Sequence, residues 1–374
     1  MFVLRELKNV NCDKELQSIG LDSSYRLRAQ SKMDIRLLKI YSLTPAQANI
    51  LKQTAISVGA DCLTHREVIT GKVEKSDVIL TANTAELRKI VQKLVFQPLR
   101  LKTLAEQILA ACEIREKSDT KLVGVLNITD NSFSDGGMYL DKDAAIRRLN
   151  ILIDEGADMI DIGAESTKPN SSPVPASLQL ERLLPIVDYI QRENICIPIS
   201  IDTRSSEVAQ EVLKRGEYII NDVSGLEYDD KMLEVLVENN AKLILQHSLG
   251  NPLVMQQNPN YRDVVEEIYL WFRDKLNYLR TAGVKDVIID PGIGFGKTKA
   301  HNLEILSRIE EFYGLGCEVM VGTSRKSFLS VESDDNVLKD ELTLAVNSRL
   351  IERGVDYLRV HNVRLHREFM KIFY

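Results

Sequence analysis

Eight polar residues in this chain stand where short apolar runs end, and they are the first candidates for chemistry. Asn127, Glu165, Asp202, Asn221, His247, Asp290, Ser324 and His361 each close or directly follow a run rich in Val, Ile or Leu. One carboxylate in such a place usually caps a helix or anchors a loop. Eight in phase point instead to a composite site built from successive strand ends. The string DPGIGFGK, from Asp290 to Lys297, sets three glycines around Phe295. Glycine lets a backbone approach a flat ligand or a phosphate closely. The string lacks the spacing of a P-loop, which argues against a nucleotide-binding loop. In RVH, strand alternation turns Arg359 and His361 the same way, as a phosphate or pyrophosphate clamp requires. In GTSRKSF, Ser324, Arg325 and Lys326 open a crossover where a helix N-terminus would favour an anion. Lys168-Pro169 fixes another cation on a stiffened segment. NITDNSFSDGG, from Asn127 to Gly137, is a polar loop around one aromatic, Phe133, with the length of a substrate lid. Mg2+ seeks oxygens and substrate phosphates, and Asn127 offers one such oxygen. The five histidines show neither HxH nor HxxxH spacing, which argues against a zinc site built from them. No nucleophile elbow is evident.

These residues need a repeated strand and helix to position them. From about Lys121 onward, LVGVLN, DMIDIGA, IPISID, YIINDV, KLILQH, DVIID, EVMVG and DYLRVH read as strands. Between them lie helix-like stretches such as Asp141–Gly156, Ser177–Glu193, Ser205–Gly216 and Tyr261–Gly283. Several end at Gly, the residue favoured just past a helix C-terminus. Buried strands each followed by a helix predict a (β/α)8 TIM barrel. Asn127 and His361 lie 234 residues apart, which suits a barrel of ~250 residues. The runner-up, an open doubly wound sheet, would more often show fewer strands and a Gly-rich first turn. On a barrel, the polar residues share the C-terminal rim, where active sites sit. Residues 1–115 read as a separate N-terminal small α/β extension. Its strand-like segments are Ile35–Tyr41, DCLTHREV and SDVILTAN; helical patterns follow Thr44-Pro45 and cover Thr84–Phe96 and Leu99–Ile114. The charged stretch Glu113–Thr120 reads as a linker to a barrel over 116–374.

Composition narrows the function classes. In 374 residues, 44% are hydrophobic and 27% charged, the balance of a folded globular chain. A net charge of −6 gives no global footprint for nucleic acid, so an anionic ligand requires local cations. The charge-free run Leu243–Tyr261 contains Gln, His, Asn and Pro and is not expected to span a membrane. The start, MFVLRELKNVNCDKEL, shows no apolar signal core, so a cytoplasmic location is expected. Five scattered cysteines without a CxxC pair suit reduced, mostly buried thiols.

In order along the chain, GVLNITDNSFSDGG, GADMIDIGAEST, ISIDTRS, NDVSG, DPGIGFGKTKAHN, GTSRKSF and RVHNV resemble the dihydropteroate synthase family. The resemblance runs from about Lys121 to the C-terminus. It implies a pterin-binding barrel of folate biosynthesis, a transferase and sulfonamide target, commonly a homodimer. Such an enzyme joins 6-hydroxymethyl-7,8-dihydropterin pyrophosphate to p-aminobenzoate, forming 7,8-dihydropteroate and releasing pyrophosphate. The resemblance implies that Asn127 is the metal- and pyrophosphate-associated residue, with Mg2+ as the cofactor. It places Asp202, Asn221, Asp290 and Lys326 on the set that reads the pterin edge. Arg359 falls on the Arg that packs over the pterin and reaches phosphate, and His361 on a pyrophosphate ligand. The catalytic set so implied is Asp202, Asp290, Lys326, Arg359 and His361. Phe133, Thr167, Lys168, Pro169, Phe295 and Ser324 fall where p-aminobenzoate is held and loops close. Three places depart from the family pattern: Asp130-Asn131 for Pro-Asp, Lys168 for Arg, and Gln246-His247-Ser248 for Met-His-Met. Two other readings use the same barrel: a paralogue that binds pterin without turnover, and a pterin-dependent methyltransferase. The SRK and RVH cations suit pyrophosphate better than the second of these.

Overall fold

The computed structural model describes residues 12–112, 119–128, 138–165, 173–249, 259–329 and 335–372. The chain divides into two compact units, Met1–Glu116 and Lys117–Tyr374.

In the first unit, β1 (Ile35–Leu43), β2 (Asp61–Thr64) and β3 (Ser76–Asn83) form an antiparallel sheet in the order β1-β3-β2. Two helices preceding it, α1 (Cys12–Ser18) and α2 (Ser23–Met33), were not anticipated from the sequence. The reason is visible in α2, which has no buried residue and therefore no apolar stripe to read. Helices α3 (Pro45–Ile56) and α4 (Thr84–Leu94) both begin in capping boxes, Thr44 with Gln47 and Asn83 with Glu86. With α5 (Leu101–Cys112) they contribute Leu51, Leu87, Ile90, Leu94 and Leu101 to a core against Leu80 of the sheet.

The second unit is a closed barrel of eight parallel strands. They are β4 (Lys121–Asn127), β5 (Met159–Gly163), β6 (Ile199–Asp202), β7 (Ile219–Asp222), β8 (Leu243–Gln246), β9 (Val287–Asp290), β10 (Glu318–Val321) and β11 (Tyr357–Val360). The helices α6 (Met138–Asp154), α7 (Ala176–Arg192), α8 (Ser206–Leu213), α9 (Met232–Glu238), α10 (Val264–Ala282), α11 (Lys299–Ser307), α12 (Asn336–Glu352) and α13 (Val363–Met370) alternate with them. The expected barrel is thus the observed one. Outward strand residues such as Leu122, Ile162, Leu245 and Ile289 pack with helix residues such as Leu149, Phe272 and Phe312 in one large core. The expectation for the thiols needs correction: Cys62 and Cys112 are buried, but Cys196 is exposed and Cys317 only half-buried.

Candidate active site

Inward positions of the barrel fall in two layers. Val123, Met159, Ile244, Ile288, Met320 and Tyr357 make an apolar floor. Two residues on, the pleat returns each strand to the interior, nearer its C-terminal end. Those positions hold Val125, Asp161, Gln246, Asp290, Gly322 and Arg359. A polar layer therefore rests directly on a hydrophobic one.

Arg359 is the hub of that layer. Its Nη1 donates to Asp161 Oδ2 at 3.5 Å, and its Nη2 to Asp290 Oδ2 and Gln246 Oε1 at 3.2 Å each. Burial opposes the guanidinium charge, but the Asp290, Asp161 and Asp202 carboxylates outweigh it and push the pKa up. Gly322 makes the room: a Cβ there would stand 3.2 Å from Arg359 Nε and Nη2. Asp161 also accepts from Ser200 Oγ at 2.6 Å and from Asn221 Nδ2 at 3.1 Å. Asp290 Oδ1 accepts from Gly292 N at 2.8 Å and so pins the glycine loop.

Three atoms of this site are buried without a hydrogen-bond partner among the described residues: Asp202 Oδ1, Asn221 Oδ1 and Gln246 Nε2. Leaving such an atom unpaired costs about 1–3 kcal/mol. The site therefore has two acceptors and one donor to offer a ligand. Burial, followed by the neighbouring Asp161 carboxylate, holds Asp202 well above the usual carboxylate range.

Lys326 reaches the same place from the loop after β10. Its Nζ donates to the Ile293 carbonyl and lies 4.6 Å from the centre of the Phe295 ring. Burial and the Arg359 cation push its pKa down to about 7, although Asp290 and Asp202 pull the other way. The helix expected to start at this loop starts later: Ser327–Leu329 is a short 3-10 turn and α12 begins at Asn336. Arg325 is not a free cation either. It makes a forked pair with Asp340 at 2.7 and 2.8 Å.

The other rim residues separate into two groups. Asn127 and His361 line a cleft of about 460 Å³ with Arg148, Glu155, Arg325 and Asn362. There Ser324 Oγ lies 2.9 Å from His361 Nδ1, and Arg148 donates to the His361 carbonyl at 2.6 Å. Arg359 and His361 therefore do different work: the first is held among carboxylates, the second faces this cleft. Glu165 and His247 serve the walls. Glu165 accepts a forked pair from buried Arg204 at 2.8 and 3.1 Å, and that guanidinium covers the Tyr228 ring at 4.1 Å. His247 Nδ1 lies 3.0 Å from Nζ of buried Lys297, which also donates to the Phe295 carbonyl at 3.0 Å. Burial and Lys297 push the His247 pKa far down, while burial takes Lys297 down to about 7.

The structure thus gathers Asp202, Asn221, Asp290, Lys326 and Arg359, with Phe295 beside them. Phe133, Thr167, Lys168 and Pro169 lie outside the described residues. Asp161, Gln246 and Lys297 were missed by reading strand ends alone; counting inward positions by two from Met159 and Ile244 finds the first two. Among the described residues, no cluster of His, Cys, Asp and Glu could hold a metal by itself. No helix among them is long and apolar enough to cross a membrane.

Comparison with known proteins agrees with this geometry. The family model for pterin binding enzymes matches residues 123–361, from the first inward position of β4 to the His361 cleft. A bifunctional dihydropteroate synthase/dihydropteroate reductase of Helicobacter pylori is 32% identical over 98% of this chain and 98% of its own length. A Haloferax volcanii protein whose name joins folylpolyglutamate synthase to dihydropteroate synthase is 33% identical over 85% of this chain, which spans only 40% of that protein. Among solved structures, the dihydropteroate synthase of Clostridium difficile in the presence of pteroic acid superposes with a TM-score of 0.63 at 36% identity, covering 70% of this chain and 99% of that one. The polar layer, with its unpaired acceptors and donor, sits on a barrel that the pterin-binding family model matches, and this chain belongs to the dihydropteroate synthase family of pterin-binding enzymes.

Proposed function

We propose that the barrel condenses 6-hydroxymethyl-7,8-dihydropterin pyrophosphate with p-aminobenzoate, giving 7,8-dihydropteroate and pyrophosphate. The observation that carries this is the set of buried, unpaired polar atoms above the apolar floor. A pterin presents an amino group and a ring N–H, which suit the free oxygens of Asp202 and Asn221. Lys326 donates to the pterin carbonyl. Asp290 holds Arg359 over the ring and fixes the Gly292 loop against it. His361, with Arg148 in the same cleft, takes the pyrophosphate. The bond from the pterin methylene carbon to oxygen breaks with its electron pair leaving on pyrophosphate. The amine nitrogen of p-aminobenzoate then bonds to that carbon and gives up one proton. Cations stabilise the departing charge. Ser324 and Phe295, with Phe133, Thr167, Lys168 and Pro169, are assigned to the p-aminobenzoate side.

Mg2+ fits this donor set as a guest of the substrate. Asn127 supplies one hard oxygen at the rim, and Mg2+ normally takes its remaining ligands from phosphates and water. Asn127 would hold the ion, which when bound would neutralise part of the pyrophosphate charge. The homodimer implied by the family is part of the same proposal.

Lys326 gives a direct test. With its pKa near 7, the free lysine is largely neutral at pH 8 and charged at pH 6. A pterin carbonyl favours the ammonium form and raises that pKa, so binding takes up a proton at pH 8 and much less at pH 6. Calorimetry of 6-hydroxymethylpterin in buffers of different ionisation enthalpy measures the uptake. Lys326→Met should abolish most of it; an unchanged uptake removes Lys326 from the site.

One observation favours an additional activity. The Helicobacter relative named as both synthase and reductase aligns with both units of this chain, beyond the barrel. On this reading the chain also reduces dihydropteroate. Supplied with a reduced nicotinamide nucleotide and 7,8-dihydropteroate, it should form the tetrahydro product detected by mass spectrometry. Absence of that product overturns the additional activity and leaves the synthase untouched.

A further inference from the structure

Gln246 stands at the end of β8, fully buried, in register with Asp290 of the neighbouring strand. It shares the inward face with Asp290 and Arg359, and its Oε1 accepts from Arg359 Nη2 at 3.2 Å. That contact settles which way the amide lies. A guanidinium carries donors only, so the oxygen of the amide must face it and the nitrogen must face away. Nε2 is then a buried donor with no acceptor among the described residues. Its neighbours Asp202 and Asn221 present the opposite, buried oxygens without donors. A flat ring with donors along one edge and acceptors along another completes both. Resting on the pterin-binding reading above, we propose that Gln246 is a specificity residue of this site, donating from Nε2 to an acceptor on the bound pterin ring. A Met at this place could fill the space but could not donate.

A binding series separates this role from simple packing. Wild type and Gln246→Met are titrated by calorimetry with 6-hydroxymethylpterin and with analogues that each lack one acceptor, ring N1, ring N5 or the 4-oxo group. Met has similar volume and flexibility, so the fold should tolerate it. The variant should bind the complete pterin about tenfold more weakly, the order of one lost hydrogen bond. One analogue should bind both proteins within about twofold, because it has already lost the partner of Nε2. Equal affinity of the two proteins for the complete pterin overturns the inference. So does a uniform loss across every analogue, which would show that Gln246 only props Arg359. Failure of the wild-type protein to bind any pterin overturns the functional reading itself, and is told apart from both. Circular dichroism confirms folding, and Gln246→Leu repeats the test if the Met variant does not fold.

Discussion

Arg359→Ala is expected to lower kcat/KM for dihydropteroate formation by about 100- to 1,000-fold, the loss associated with removing one partner of a buried, hydrogen-bonded charge pair. The same change should destabilise the free protein by about 3–5 kcal/mol, because it leaves buried carboxylates without their counter-charge. Both expectations come from one geometry. Arg359 is the link between Asp161, Gln246 and Asp290, which reach it from three different strands. With it gone, Asp161 retains Ser200 and Asn221, and Asp290 retains Gly292 N, but among the described residues no cation is hydrogen-bonded to either carboxylate. Arg359→Lys keeps the charge and should recover part of the stability. It should recover little of the activity, since an ammonium cannot reproduce the fork that spans three acceptors. Steady-state rates and denaturant melts of both variants measure this. Activity within tenfold of wild type in Arg359→Ala would show that the hub is architectural only.

Gly292→Ala should cost nearly as much through the backbone alone. Gly292 has φ of +68°, and a Cβ there would overlap the His247 carbonyl oxygen and crowd Gln246 Cγ. The first obstacle is backbone just past the end of the neighbouring β8 and cannot swing away from the clash. The loop must move, and its first casualty is the bond from Gly292 N to Asp290 Oδ1. Backbone strain of about 1–3 kcal/mol, added to the lost anchor of Asp290, predicts pterin affinity about 100-fold weaker by calorimetry. Gly283 supplies the control. It has φ of +105° at the end of α10, but open space around its Cβ position. Gly283→Ala should lower stability and leave pterin affinity within about twofold. Equal effects of the two substitutions on affinity would disprove the assignment of the Gly292 loop to the pterin site.

The barrel could be read in the sequence because its strands are short, rich in branched residues and separated by stretches of helical period. Its rim could be read because a strand must end in something polar before a loop begins. That rule finds Asn221, Asp202 and Asp290 correctly. It misreads Glu165 and His247, which also follow strands but whose partners, Arg204 and Lys297, are distant in sequence. It passes over Asp161 and Gln246, because Asp161 sits between two isoleucines within β5 and Gln246 precedes a more conspicuous histidine. Period-two counting within each strand recovers them once the inward face is known. Helix α2 had no apolar stripe to betray it. The engagement of Arg325 by Asp340 depends on a helix turn that no local pattern specifies.

Synthesis itself is the most direct measurement. Purified protein is incubated with 6-hydroxymethyl-7,8-dihydropterin pyrophosphate, p-aminobenzoate and Mg2+, and both 7,8-dihydropteroate and pyrophosphate are followed. Equal amounts of the two products are expected, with formation suppressed by a sulfonamide competing for the p-aminobenzoate side. Tight pterin binding with no dihydropteroate formed would contradict the assignment, and would mark a pterin-binding paralogue whose departures at Asp130-Asn131 and Lys168 have removed turnover.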